Sequence, residues 1–165
     1  EVQWGAKRFI NFYLITGLGA LALQWGVQAF EIYQITGSPL NPGAVTIDLV
    51  KGMSSLNLAG LSHSDAQTLL GIYSGPMVGA SGAIFGLLVA FGMLYPNAEL
   101  YIMFIPVPVK AKFIIPVYIL IELSLGVANV AGDSVAHYAH IGGALLGFIL
   151  VKLWKKKNTF YDYYD

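Results

Sequence analysis

Apolar residues fall along this chain in four long runs separated by polar or proline-rich breaks, and each run predicts a helix. The first spans Phe9 to about Tyr33. The second, Val78 to Tyr95, is glycine-rich, the third runs from Tyr101 to Ala128 after an opening set of prolines, and the fourth from Val135 to Trp154. Each lies near the length that crosses about 30 Å of hydrocarbon. Gln34 to Met77 is polar instead, with Gly37, Pro39, Asn41, Pro42, Gly43, Ser54 and Ser55. It predicts a long exterior loop with a short helix over Ser64 to Tyr73, Ser64 capping and Gln67 three residues on. No internal repeat is visible. The expected fold is a single all-α membrane domain of four transmembrane helices.

Composition agrees with that pattern. Hydrophobic residues make up 56% of the 165 positions and charged residues 11%, against roughly 25% charged in soluble domains; mean hydropathy is +0.66. The formal net charge of zero gives no case for nucleic acid, and the absence of cysteine removes disulfides, thiolate metal sites and cysteine nucleophiles. Glu1 to Arg8 lacks the order of a signal peptide, so the chain is expected to begin mid-protein.

Basic residues give the orientation. Lys7 and Arg8 precede the first helix, Lys110 and Lys112 lie near the start of the third, and Lys152, Lys155, Lys156 and Lys157 close the fourth. Counting crossings leaves only Lys51 on the other face, the bias expected of a cytoplasmic surface. A multi-pass protein of a plasma or bacterial inner membrane, with a cytoplasmic C-terminus, is the expected localisation. Tyr33, Tyr95, Tyr101 and Trp154 suit an interfacial belt, and the terminal lysines would also favour anionic headgroups.

The second run starts irregularly, at Gly75-Pro76-Met77-Val78-Gly79-Ala80-Ser81-Gly82. From Ser81 to Tyr95 a helix rises only about 21 Å, so Ser81 would begin it roughly 10 Å below the exterior surface. Irregular backbone at that depth must be covered by protein or line a water-filled cavity. Gly79-x-Ser81-Gly82 alone is a weak pattern, because small residues in an apolar helix more often serve close packing. The fourth run, however, carries Ala139-His140-Ile141-Gly142-Gly143-Ala144-Leu145-Leu146-Gly147. A histidine in a membrane span is by default a functional hypothesis. Gly143 and Gly147 share a helical face near His140 and would let this helix press on the one bearing Ser81. Serine needs a base to become a nucleophile, and a neutral histidine is the usual one. Asp133 is two turns too near the surface to join them. A two-residue Ser-His arrangement results, with Phe85, one turn below Ser81, placed to pack on the imidazole.

The combination resembles the rhomboid family of intramembrane serine proteases. Glu1 to Ala20 is similar to the end of that family's second core helix and its third helix, Gly79 to Gly86 to its catalytic fourth, and Val135 to Gly143 to its sixth. The resemblance implies Ser81 as nucleophile and His140 as general base, 59 residues apart, acting on single-pass membrane proteins near the exterior end of their helix. The family's first helix, its embedded loop, and the histidine and asparagine that steady the oxyanion have no counterpart here and are expected upstream. The backbone N–H of Ser81, at a helix N-terminus, is the one oxyanion donor identified, and the fragment alone is expected to be impaired.

Gly79, Gly82, Phe85, His137 and Gly143 are the expected supporting residues; no metal or cofactor is called for. His137, placed to orient a loop or substrate, reads more readily as a structural histidine, His63 as a solvated loop residue, and Glu122 as a neutral or hydrogen-bonded carboxylic acid facing the bundle rather than as a functional group. Gln24, Gln28 and Glu31 mark one polar face turned to protein. Pro106, Pro108 and Pro116 weaken the third helix, which would help a lateral gate. Two rivals stand beside the protease: a catalytically inactive rhomboid-like protein that binds transmembrane clients, and a small transporter piece.

Overall fold

The computed structural model of the chain describes residues 3–48, 53–57, 60–75, 80–101, 107–128 and 136–155. The architecture is mostly helical: α1 (Gly5–Thr36), a hairpin of β1 (Val45–Asp48) and β2 (Met53–Leu56), α2 (His63–Ser74), α3 (Ala80–Leu94), two short paired segments β3 (Glu99–Leu100) and β4 (Val109–Lys110), α4 (Ala111–Ala128) and α5 (His137–Lys155).

α1, α3 and α5 pack on one another, and α4 lies against α3 and α5. What brings the first three together is the absence of side chains. A Cβ on Gly143 would sit 1.8 Å from the Gly82 carbonyl oxygen, and one on Gly147 2.6 Å from that of Gly86. These paired contacts, four residues on in both helices, make α3 and α5 parallel neighbours with backbones touching. α1 closes the trio in the opposite sense: Thr16 faces Gly86, Ala20 faces Gly82 and Gly142, and Leu23 faces Gly142. Small residues at such interfaces are how helices associate where apolar burial gives no drive.

Large apolar side chains are on the outside instead. Leu18, Trp25, Phe30, Phe113, Leu120, Val127 and Leu153 are all exposed, an inversion of the usual pattern that suits lipid contact. Among the described residues two helices, α1 and α4, are long and apolar enough to cross a membrane by length and composition; α3 is a shorter apolar helix of 15 residues. At one end of the bundle Trp4 lies edge-on to Trp154 at 5.3 Å, and both pack on Phe12.

Two departures from the sequence reading stand out. The third helix starts at Ala111, ten residues later than the apolar run, because Glu99–Leu100 pairs antiparallel with Val109–Lys110 and Pro108, with no N–H to donate, precedes the helix rather than joining it. Pro116 does lie inside α4, and Pro106 is outside the described residues. The described residues of the long polar loop, for their part, form a small module. Gly37 ends α1 at a φ of 75°, the left-handed cap glycine favours. The hairpin and α2 then bury Ala44, Val45 and Leu69 against Ile32 at the end of α1. The cap of α2 is Ser62, not Ser64: its Oγ accepts the Asp65 N–H at 3.1 Å and donates to the Asp65 carboxylate at 2.7 Å.

Candidate functional site

The site forms where the glycine seam brings α3 and α5 together and α4 crosses their open side. Ser81 is half-buried as the second residue of α3, one turn before Phe85. The neighbouring Gly82 is pressed against Ala139 and Gly143, so the first turns of α3 and α5 lie side by side. His140, in the first turn of α5, is buried. Its ring lies flat on Phe85, with centroids 4.1 Å apart and planes 9° from parallel, and Tyr118 packs on Phe85 at 5.2 Å.

The depth of His140 is fixed from α1. Gln24 is buried, and its side-chain oxygen accepts the Ala139 N–H at 3.1 Å, a bond that this N–H shares with the Ala136 carbonyl at 2.9 Å in the first turn of α5. Gln24 thus faces protein, while Gln28 and Glu31 are half-buried.

α4 contributes Glu122, which the sequence reading gave as a hydrogen-bonded acid facing the bundle but did not attach to His140. Glu122 is buried, and one of its oxygens, Oε2, lies 2.9 Å from His140 Nδ1 and 2.6 Å from His137 Nδ1. A carboxylate therefore sits on the candidate base, where the sequence reading enlisted no third group, and Glu122, His137 and His140 form a cluster beside Phe85. The signal was present: Glu122 is the only acidic residue between Tyr101 and Ala128, and an ionisable group in an apolar span is a functional pointer. Tyr138 ties the same two helices by donating to the Gly126 carbonyl at 3.1 Å.

The ligand atoms of Glu122, His137 and His140 lie within 4.8 Å of one another, a set able to hold a divalent ion. The spacing fits hydrogen bonds better. Donor atoms around a tetrahedral zinc stand about 3.3 Å apart, given bonds of about 2.0 Å, whereas both N···O separations here are 2.6 and 2.9 Å. Among the described residues every buried side-chain nitrogen and oxygen has a hydrogen-bond partner. His63 is exposed at the start of α2, away from this cluster; Gly79 and Asp133 lie outside the described residues.

The family model described as the Rhomboid domain matches residues 1–157. The chain belongs to the rhomboid family. Rhomboid proteins are a helical membrane family, in keeping with the outward-facing apolar surface described above. An uncharacterized mitochondrial rhomboid protein of Schizosaccharomyces pombe is 31% identical over 90 residues, which cover 51% of this chain and 23% of that protein. Rhomboid protein 1, mitochondrial, of Saccharomyces cerevisiae is 36% identical over 77 residues, 46% of this chain and 21% of that relative. The matched stretches thus span less than a quarter of either rhomboid relative. No solved structure matches.

Proposed function

We infer that this rhomboid chain carries the catalytic helices of an intramembrane serine endopeptidase, with Ser81 as nucleophile and His140 as general base. The observation that carries the reading is the flat stack of His140 on Phe85, because Phe85 lies one turn from Ser81 on the same helical face. An imidazole held there lies on the helix face that carries the hydroxyl one turn above, which supports the pairing. In the reaction, His140 takes the Ser81 proton as Oγ attacks the scissile carbonyl carbon. Collapse of the tetrahedral adduct, with that proton passed to the departing amine, leaves an acyl-enzyme; water, deprotonated by the same imidazole, then releases the acid and restores Ser81. The Ser81 N–H, at the N-terminal end of α3, supports the oxyanion.

The proposed substrates are single-pass membrane proteins cut near the exterior end of their helix. α1, α3, α4 and α5 serve as four crossings in a bilayer, with the hairpin and α2 on the exterior side and the C-terminus cytoplasmic. The short α3 is then what sinks Ser81 below the surface, where water reaches it from outside.

Ser81→Ala and His140→Ala in full-length protein, reconstituted in liposomes with a model transmembrane substrate, test this. Each should abolish cleavage while binding persists, and only wild type should label with a fluorophosphonate. Equal cleavage by all three proteins would reject it.

A further inference from the structure

We propose that Glu122 is a positioning residue of the catalytic base, its one oxygen holding His140 and His137 in the tautomer that carries the proton on Nδ1. This rests on the reading of Ser81 and His140 given above and deepens it.

The chemistry of the donors dictates the tautomer. A neutral imidazole has one N–H, and a carboxylate only accepts. Oε2 receives two short contacts, from His137 Nδ1 at 2.6 Å and His140 Nδ1 at 2.9 Å. A protonated acid could donate to one ring but would lose its strong acceptor for the other; a carboxylate oxygen accepts from both. Each ring must then donate from Nδ1, which leaves Nε2 with its lone pair. For His140 that is the nitrogen able to take a proton from Ser81.

Orientation is over-determined in the same way. His140 is clamped on its face by Phe85, at 4.1 Å, and at its edge by Glu122. Rotation about the side chain that kept the stack but lost the hydrogen bond would leave the buried carboxylate with the His137 donor alone, which is costly in a low-dielectric interior. His137 completes the arrangement by supplying the second donor. Its ring stands edge-on to that of His140, at 88° between planes, so the two N–H groups converge on one oxygen without the rings competing for space. During catalysis the same carboxylate faces the imidazolium that forms as Ser81 loses its proton, and that charge pair develops where water is scarce. A purely structural tie between α4 and α5 needs neither the shared oxygen nor the common Nδ1 geometry; Tyr138 and Gly126 already supply such a tie.

The test combines a spectroscopic signature with a split of kinetic constants. Nitrogen-15 NMR of imidazole-labelled, full-length wild-type protein, at a pH where both rings are neutral, should show His140 and His137 protonated at Nδ1. Glu122→Gln keeps the shape and one acceptor oxygen. It should lower kcat about tenfold with KM within about twofold, while Glu122→Leu, which removes the acceptor, lowers kcat by about 10²- to 10³-fold, toward the full contribution of a general base. Fluorophosphonate labelling should slow in the same order. An Nε2–H tautomer for His140 in wild type, or wild-type kcat in both variants, overturns the proposal. So does an equal loss in both variants that tracks loss of folded protein. The parent reading fails separately: if Ser81→Ala cleaves like wild type, the whole site is misassigned, whereas an inactive Ser81→Ala beside a fully active Glu122→Leu rejects the positioning role alone.

Discussion

A methyl group on Gly143 is the sharpest probe of the seam that, in the proposed site, aligns Ser81 with His140. Its Cβ would fall 1.8 Å from the Gly82 carbonyl oxygen, and side-chain carbons do not approach closer than 3.0 Å. The obstacle is backbone, so no rotamer change relieves it; α3 and α5 must part by about 1.2 Å at this level. Overpacking of this kind costs about 1–3 kcal/mol or more. The effect on chemistry is larger, because Ser81 and His140 sit on the two helices being separated, and a misplacement of about 1 Å can cost about 10²-fold in rate. Gly143→Ala should therefore lower kcat by at least that factor. Gly147→Ala, whose Cβ meets the Gly86 oxygen at 2.6 Å a turn farther from the site, should lose less. Gly26→Ala is the control: nothing lies within 4 Å of its Cβ, and relief of a helical glycine should raise stability by roughly 0.5–1 kcal/mol without changing kcat. Cleavage of a model substrate and thermal unfolding in detergent measure both quantities. A Gly143→Ala protein that is as active as wild type refutes the seam as the aligning device.

Two further substitutions address the groups around His140. Phe85→Leu removes the flat ring against the imidazole, an aromatic contact of about 0.5–1.5 kcal/mol beyond its area; kcat should fall up to about tenfold with KM unchanged, and Phe85→Tyr should restore it, whereas equal activity of Leu and Phe proteins would show the stack to be idle. Gln24→Leu removes the cross-helix bond of the Ala139 N–H, which keeps only the Ala136 carbonyl, and should cost about 0.5–1.5 kcal/mol in thermal unfolding, with Gln24→Glu, which keeps an oxygen acceptor, losing less; an unchanged melting temperature in Gln24→Leu would mean that the bond does not hold α5.

Much of this geometry was legible in the residues. Gly82, Gly86, Gly143 and Gly147 recur four apart on two apolar runs, and small residues so placed let two backbones approach closely. The same reasoning reads Gln24 as protein-facing, since an uncapped amide has no partner in lipid. The hairpin was not legible. Val45-Thr46-Ile47-Asp48 alternates over four residues only and Met53-Ser54-Ser55-Leu56 does not alternate at all, and the pairing is held by contacts from elsewhere: Leu69 packs beneath it and Ser74 bonds Ser54 at 2.8 Å. The cap of α2 was misplaced by two residues because Ser62 and Ser64 both offer a hydroxyl; only Asp65, three residues after Ser62, closes the reciprocal pair.

Glu122 was harder for a physical reason. In a water-soluble helix the apolar stripe gives the rotational phase, but in α4 nearly every side chain is apolar, so hydrophobicity carries no phase at all. The inward face is Ala111, Ile115, Glu122 and Gly126, while Phe113, Val117, Leu120 and Val127 point out. That stripe is marked by what is small or polar on it, not by what is greasy. Placed antiparallel to α5, as the Gly126 approach to His137 requires, it can only deliver Glu122 one turn deeper, level with His140. In a chain of this composition the glycines and the lone acid of an apolar run define which side of each helix meets its neighbours, and the chemistry follows from that side.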